Sequence, residues 1–330
     1  MRNILTRRAS RSSFRSWTHL VPALLLIATL TATANAQTWP SRPIQIFHGF
    51  APGGNPDIVA RIIAPALSER LGQAVIVEPK PGAGGRIATN HVAKQQPDGY
   101  SLIMLTGGDS VLAATVRALP YDLIRDFVFV TATTQFPFLI LVQADAPYRS
   151  LRDLIEDARQ RPGKLSYGHS GTATTLHLVG ELLKEMAGID MLHIPTKGTQ
   201  AQELAAGRLD MSVGVSTSSM PFIKSGKIRV LAVTSSNRTS EFPHAQTVGE
   251  DLAGYEVTSW LGLAAPAGTN PAIVERLSLE VRAILARDDV KTRLGSLGAV
   301  PYGTTGPEFR ERIESDIKKW RALAAKVKLD

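Results

Sequence analysis

Four stretches set glycines and hydroxyl side chains immediately before an amphipathic segment: Phe50-Ala51-Pro52-Gly53-Gly54, Thr106-Gly107-Gly108-Asp109-Ser110, Ser170-Gly171-Thr172-Ala173-Thr174-Thr175 and Thr196-Lys197-Gly198-Thr199. Such junctions offer backbone N–H and side-chain O–H donors where a strand gives way to a helix. The first turn of a helix has free N–H groups and the positive end of the dipole, so it favours an anion. In the first stretch Asn55 is the expected N-cap and Pro56 the first helical residue, because proline needs no N–H there. Gly53 and Gly54 permit positive φ and close approach by another group. Asp57 already puts a carboxylate in that turn, either complementing the dipole or meeting a donor on a ligand. Each junction also has a plainer reading as a capped helix start, and anion binding requires several of them to converge.

Other chemistries are weaker. Gly168-His169-Ser170-Gly171-Thr172 nearly matches the G-x-S-x-G turn that exposes a nucleophilic serine, but Thr172 replaces its last glycine. A hydrolase built on Ser170 would need His193 or His244 as base, and no oxyanion-loop signature precedes it. His169 and His177 read as packed or surface residues. The glycine cluster in Glu78–Asn90 lacks the Gly-Lys-Ser/Thr of a phosphate loop, and Ile87 falls where a dinucleotide fingerprint needs glycine. Helix capping is its expected role, with lining a pocket the alternative. The seven histidines are scattered with no H-x-x-x-H pair, and there is no cysteine. No metal site, disulfide, thiol nucleophile or cofactor is therefore expected.

The elements that must position these junctions alternate. Strands are predicted at Ile44–His48, Ala74–Glu78, Ser101–Leu105, Phe127–Thr133 and Phe138–Val142, with helices at Asp57–Leu71, from the Gly-rich turn to Lys94, and at Ser110–Ala118. The alternation continues through helices at 150–160, 174–187, 200–206 and 218–224 and strands at 165–168, 190–194, 209–215 and 228–234. A strand at Trp260–Ala264 and three helices from Pro271 onward finish the chain. This is the pattern of an α/β protein with largely parallel sheets. The basic start, the short apolar run Leu20–Leu30 and Ala34-Asn35-Ala36 read as a secretory signal in residues 1–36, cleaved after Ala36. That segment carries five of the eight net positive charges, leaving +3 for the remainder. With no basic block left, a nucleic-acid partner is not expected.

Five ordered motifs are similar to a known family: WPSRPIQIFHGFAPGGNPDIVAR, VEPKPGAGGRIATNHVAKQQPDGYSLIM, GTATTLHLVGELLKEMAGIDMLHIPTKGTQAQELAAGRLDM, IKSGKIRVLAVTSSNRT and VTSWLGLAAPAGTNPAIVERL. They resemble the Bug/TctC receptors, the extracytoplasmic solute-binding proteins of tripartite tricarboxylate transporters, over the whole chain after the signal. The resemblance implies a two-lobed periplasmic-binding-protein fold of type II with a cleft between lobes, 37–136 and 262–330 in lobe I and 137–261 in lobe II. It implies a periplasmic monomer that binds a small carboxylate without catalysis and serves membrane transporter subunits or a sensor kinase. Carried over by motif, the ligand site comprises Phe50, Ala51, Pro52, Gly53, Gly54 and Asp57, then Thr106, Gly107, Gly108, Asp109 and Ser110. The second lobe contributes Ser170, Gly171, Thr172, Ala173, Thr174, Thr175 and His177, then Pro195, Thr196, Lys197 and Gly198. Thr196 stands where the family has an aromatic residue, and Val215–Ser219 replaces a run containing Asp-Asn.

Overall fold

Apolar strands that each run into an amphipathic helix build two sheets. The computed structural model describes residues 39–172 and 174–325; the expected signal segment and Ala173 lie outside them. Residues 39–41 belong to a separate unit, and Arg42 onward forms another, to which everything below refers.

In the first part of the chain β1 (Ile44–His48) leads into α1 (Asn55–Leu71). β2 (Val75–Pro79) leads through a 3-10 turn at Ala83–Gly85 into α2 (Arg86–Ala93), and β3 (Ser101–Thr106) into α3 (Gly107–Thr115). β4 (Phe127–Pro137) is followed after one residue by β5 (Leu139–Gln143). Next come α4 (Leu151–Gln160), β6 (Ser166–His169), α5 (Thr175–Ala187), β7 (Leu192–Pro195), α6 (Gln200–Ala205), β8 (Met211–Gly214), α7 (Ser216–Lys224) and β9 (Ile228–Val233). β10 (Gln246–Thr247) and α8 (Val248–Asp251) precede β11 (Thr258–Pro266), α9 (Pro271–Leu285), α10 (Asp288–Gly295), β12 (Val300–Pro301) and α11 (Gly306–Ala324).

The first sheet has the order β12-β4-β11-β3-β1-β2 and the second β10-β9-β5-β8-β6-β7. Both are mixed rather than largely parallel. β1, β2 and β3 are mutually parallel, as are β6, β7 and β8, because a crossover helix separates each from the next. β5 follows β4 with no helix between them, and β4, β5 and β11 pair antiparallel with their neighbours. The arrangement leaves the C-terminal ends of β1 and β3 in one sheet, and of β6 and β8 in the other, each leading to a helix start, through a loop after β1 and β6 and almost at once after β3 and β8.

The first sheet's core centres on Trp260, fully buried, with Phe309 edge-on at 4.8 Å and Phe129 at 5.6 Å from Phe309. The indole N–H of Trp260 donates to Asp316 at 2.6 Å, which satisfies its one polar atom. Gly262 makes this packing possible. A Cβ there would lie 2.3 Å from the Phe309 ring and 2.8 Å from the Thr131 carbonyl. Gly262→Ala should therefore cost about 1–3 kcal/mol by overpacking, read as a lower urea midpoint; an unchanged midpoint would contradict this close packing. The second sheet has its own core of Leu139, Leu141, Leu204, Leu209, Ile228 and Val233.

Candidate functional site

Helices α1, α3, α5 and α7 all start at one cavity of about 570 Å³, within the range of roughly 300–1,000 Å³ usual for small-molecule sites. Gly54 and Asn55 represent the start of α1 on its wall, Thr106 and Gly108 that of α3, Thr174 and Thr175 that of α5, and Val215 and Ser218 that of α7. Two of the helices follow strands of the first sheet and two follow strands of the second. Four positive dipole ends converging on one volume favour negative charge there more than any single helix would. Arg86 and Lys197 add two cationic side chains to the lining. Phe50, Phe136, Phe138, Leu176 and Leu261 supply an apolar wall, with the Phe136 and Phe138 rings packed edge to face at 5.8 Å.

Of the residues expected from the sequence, Phe50, Ala51, Gly54, Thr106, Gly108, Ser170, Gly171, Thr172, Thr174, Thr175, Thr196, Lys197 and Gly198 line this cavity. Others lie off its wall. Pro52 and Gly53 are exposed on the outer turn of their loop, and Pro195 is exposed at the end of β7. Gly107 is packed so tightly on Ser259 that a Cβ would lie 2.3 Å from its Oγ. Asp109 turns back to cap its own helix, accepting from Thr106 N–H at 2.8 Å and from Thr89 Oγ1 at 2.9 Å. Its carboxyl is pushed up by complete burial despite these bonds. Ser110 is buried behind it. Asp57 and His177 belong to the two polar clusters described below.

Four amides of the cradle expected at these junctions are already engaged within the protein. Gly53 N–H is taken by Asp57 at 3.0 Å, Gly54 N–H by the Ala51 carbonyl at 3.0 Å, Gly108 N–H by Thr106 Oγ1 at 3.1 Å and Gly171 N–H by His169 Nδ1 at 3.2 Å. The physical reason is saturation: a buried N–H finds a local acceptor when the loop supplies one. Side-chain hydroxyls take over the role. Thr175 Oγ1 is buried on the cavity wall without a hydrogen-bond partner among the described residues. An unsatisfied buried hydroxyl at a helix start is a donor awaiting an acceptor.

Phe136, Phe138, Leu176, Ser259 and Leu261 line the cavity without any signal in the sequence. Pro81, Gly82, Ala83, Gly84 and Arg86 also line it, which is the alternative role of that cluster rather than the expected capping. Gly84 has a φ of 67°, and a Cβ there would come within 3.1 Å of Thr174, so only glycine lets this loop approach the 170–174 loop. The α1 start differs as well. Gly54 is the N-cap and makes no side-chain cap bond, and Asn55 is the first helical residue. The Asn55 side chain instead accepts from Thr217 Oγ1 on α7, tying together two helix starts that follow different sheets.

Asp57 anchors the first loop from beneath. It accepts from His48 Nε2 at 3.0 Å, Arg61 Nε at 2.9 Å and Gly53 N–H at 3.0 Å. Burial pushes its carboxyl up, but the Arg61 and Gly53 bonds outweigh this and hold it below its ordinary value. His48 is fully buried; burial lowers its pKa more than the Asp57 charge raises it. The pair is thus a neutral imidazole donating Nε2–H to a carboxylate.

The second cluster corrects the expectation that the histidines are scattered. His169, His177 and His193 each bring one ring nitrogen to within 4.8 Å of the others. His169 Nε2 lies 3.3 Å from His193 Nδ1, and the His169 and His177 rings are 4.5 Å apart. Burial first, then the neighbouring His177, pulls the His169 imidazole down to about 4. Burial likewise lowers His177. Glu181 Oε1 lies 3.8 Å from His177 Nε2 and accepts from Tyr167 Oη at 2.6 Å and Lys184 Nζ at 3.1 Å. Burial pushes the Glu181 carboxyl up, and these bonds bring it below its ordinary value.

Ser170 lacks the geometry of a nucleophile. Its Oγ donates to Thr174 Oγ1 at 3.3 Å, while the nearby His169 spends Nδ1 on Gly171 and faces His193 with Nε2. A triad requires a base hydrogen-bonded to the nucleophile.

Two sheets whose strand ends and helix starts enclose one cavity define a site for a small molecule. Residues 59–329 match the family described as tripartite tricarboxylate transporter family receptor, TctC, and the chain belongs to that family. The periplasmic binding protein BugD is 32% identical, with a TM-score of 0.85 over 88% of this chain and 99% of that one. An R. palustris protein solved with adipate is 36% identical, with a TM-score of 0.84 over 87% and 97% of the two chains. MatC from Rhodopseudomonas palustris, solved with bound malate, is 30% identical, with a TM-score of 0.82 over 86% and 99%. The fold is accordingly that of the periplasmic binding proteins, and the chain is a receptor rather than an enzyme.

Proposed function

We propose that this receptor captures a small carboxylate between two lobes, residues 37–136 with 262–330 and residues 137–261, and delivers it to the membrane subunits of a tripartite tricarboxylate transporter. It acts in the periplasm after removal of a signal peptide at Ala36. The observation that carries the reading is the convergence of four helix starts on one cavity that also holds the unpartnered Thr175 hydroxyl. The relatives solved with adipate and malate hold dicarboxylates, in keeping with the reading. The apolar wall of Phe136, Phe138, Leu176 and Leu261 suits a ligand with a hydrocarbon body between or beside its charges.

The magnitudes are adequate without a buried arginine. A hydrogen bond to a charged group contributes roughly 1.5–3 kcal/mol net, so about four such bonds supply 6–12 kcal/mol before the losses of binding. Micromolar affinity needs about 8 kcal/mol. Calorimetry with mono-, di- and tricarboxylates tests the reading: a saturable exotherm or endotherm with at least one is expected, and silence across the whole panel would overturn it.

Thr175→Val isolates one donor. Valine keeps the shape and removes a hydroxyl that has no partner among the described residues. Affinity for the best carboxylate should fall by about 10–100-fold, the worth of one charge-assisted bond, while the urea midpoint stays at the wild-type value. Equal affinity in the two proteins would remove Thr175 from the site.

A further inference from the structure

We propose that His169, His177 and His193 form a binding site for a divalent first-row transition ion, for which zinc is the probe. The site lies off the wall of the carboxylate cavity, beneath the loop that begins at His169. Three elements assemble it. Tyr167 is paired with His193 across the parallel β6–β7 ladder, so His169, two residues beyond Tyr167, shares a sheet face with His193. Helix α5 presents His177 from its first turn, and its ring lies 4.5 Å from that of His169 and 5.0 Å from that of His193. Glu181, one turn further along the helix, completes the polar group.

The spacing fits the chemistry. Nitrogens at roughly 2.0–2.1 Å from a tetrahedral zinc lie about 3.3–3.4 Å from one another. The His169 Nε2 to His193 Nδ1 distance is already 3.3 Å. All three ligand atoms lie within 4.8 Å of one another, so closing on the metal asks for a shift of at most about 1.5 Å, within the reach of imidazole side-chain torsions. Imidazole nitrogen is a preferred donor for zinc, copper and nickel ions. Glu181 Oε1, 3.8 Å from His177 Nε2, stands where a carboxylate orients a ligating histidine or supplies a fourth ligand. His193 is exposed while His169 and His177 are buried, which gives the ion an entrance and a largely enclosed seat.

Ion binding gives up the hydrogen bonds that both ring nitrogens of His169 make, to His193 and to Gly171. Gly171 N–H donates to His169 Nδ1, so the ring proton of neutral His169 resides on Nε2, facing His193. Ligation through Nε2 moves that proton to Nδ1, with no net proton released from the ring. The Gly171 amide then loses its acceptor. Because Gly171 lines the cavity, the metal state of the histidines and the conformation of the 170–174 loop are linked.

The test is zinc titration of the untagged chain near neutral pH, by calorimetry and by competition with a chromophoric chelator, followed by cobalt(II) substitution. One equivalent should bind, and cobalt should give the intense visible bands of a tetrahedral nitrogen-rich site. His193→Ala, at an exposed position that leaves the buried pair in place, should weaken zinc binding by about tenfold or more, with its melting curve in chelator unchanged. The control double variant His91→Ala/His244→Ala, at histidines outside the cluster, should bind zinc as the wild type does. No saturable uptake, uptake undiminished by His193→Ala, or uptake lost in the control variant would each overturn the assignment. Because the readout is the metal itself, the result is independent of whether the cavity takes a carboxylate.

Discussion

Asp57→Asn is expected to lower folding stability by about 3–5 kcal/mol, the usual consequence of removing one member of a buried, hydrogen-bonded charged group. Asp57 is 4% exposed and accepts three bonds, from His48, Arg61 and Gly53. An asparagine has one oxygen to accept with and turns an NH2 group toward at least one of those donors. His48 is the costliest neighbour to abandon, since it is fully buried and its Nδ1 has no partner among the described residues to compensate for a lost Nε2–H acceptor. Arg61 matters less, because 53% of its side chain is exposed and water can replace the carboxylate. Arg61→Ala should therefore cost under about 1 kcal/mol. Where the NH2 of Asp57→Asn faces Gly53 it releases the Phe50–Gly54 loop beside the cavity, so ligand affinity should fall together with stability. Urea midpoints of the two variants decide the matter. If Asp57→Asn proves no more costly than Arg61→Ala, the carboxylate is not the anchor of that loop.

The second large effect is a loss of stability in acid that originates at His169. In the unfolded chain this imidazole takes up a proton near its ordinary value of 6.5, whereas in the folded protein burial holds it down to about 4. Between those limits the unfolded state binds more protons, so stability must fall as pH decreases. The contribution is complete above pH 6.5, is lost progressively down to about 4 and changes no further below that. A difference of about 2.5 units corresponds to about 3 kcal/mol. Two neighbours of the ring reinforce the direction, since His177 and His193 would repel an imidazolium. Glu181 favours the charged ring and works against this. His48 and His177, lowered mainly by burial, add losses of the same sign. Asp109, whose carboxyl burial raises, works the other way at the acid end. His169→Gln separates these contributions, because glutamine can accept from Gly171 and cannot titrate. Urea midpoints measured with chelator present at pH 7 and pH 4.5 should differ less in this variant than in the wild type, by most of the 3 kcal/mol (about two to three) assigned to this ring. Equal pH dependence in both proteins would place the acid sensitivity elsewhere.

Much of the architecture was legible in the order of the residues alone. Strand and helix follow the local periodicity of apolar side chains, and nearly every long element lies within a few residues of its expected span. The predicted strand Ile44–His48 coincides with β1, and the predicted helix 174–187 with α5 but for one residue. Short pieces such as β10, α8 and β12 carried too few residues for a period to register. The helix-start chemistry was equally visible, because glycine, proline and hydroxyl residues act on their immediate neighbours, and the family motifs followed from the same stretches.

Tertiary structure alone decided which donors are left over. A hydrogen bond is settled by whichever partner arrives, and the decisive partners are remote in sequence. Asn55 abandons its cap for Thr217, 162 positions away, and the junction amides find acceptors within their own loops and leave the Thr175 hydroxyl unpaired. The aromatic wall of Phe136 and Phe138 forms where β4 passes directly into β5, a place with no helix-start signal to mark it. Three histidines that share no motif meet because adjacent parallel strands and one overlying helix put them on a common face. Local sequence fixes dihedral preferences over a few residues, whereas a site is a set of distances between side chains, and those distances exist only after the sheets have paired and the helices have packed.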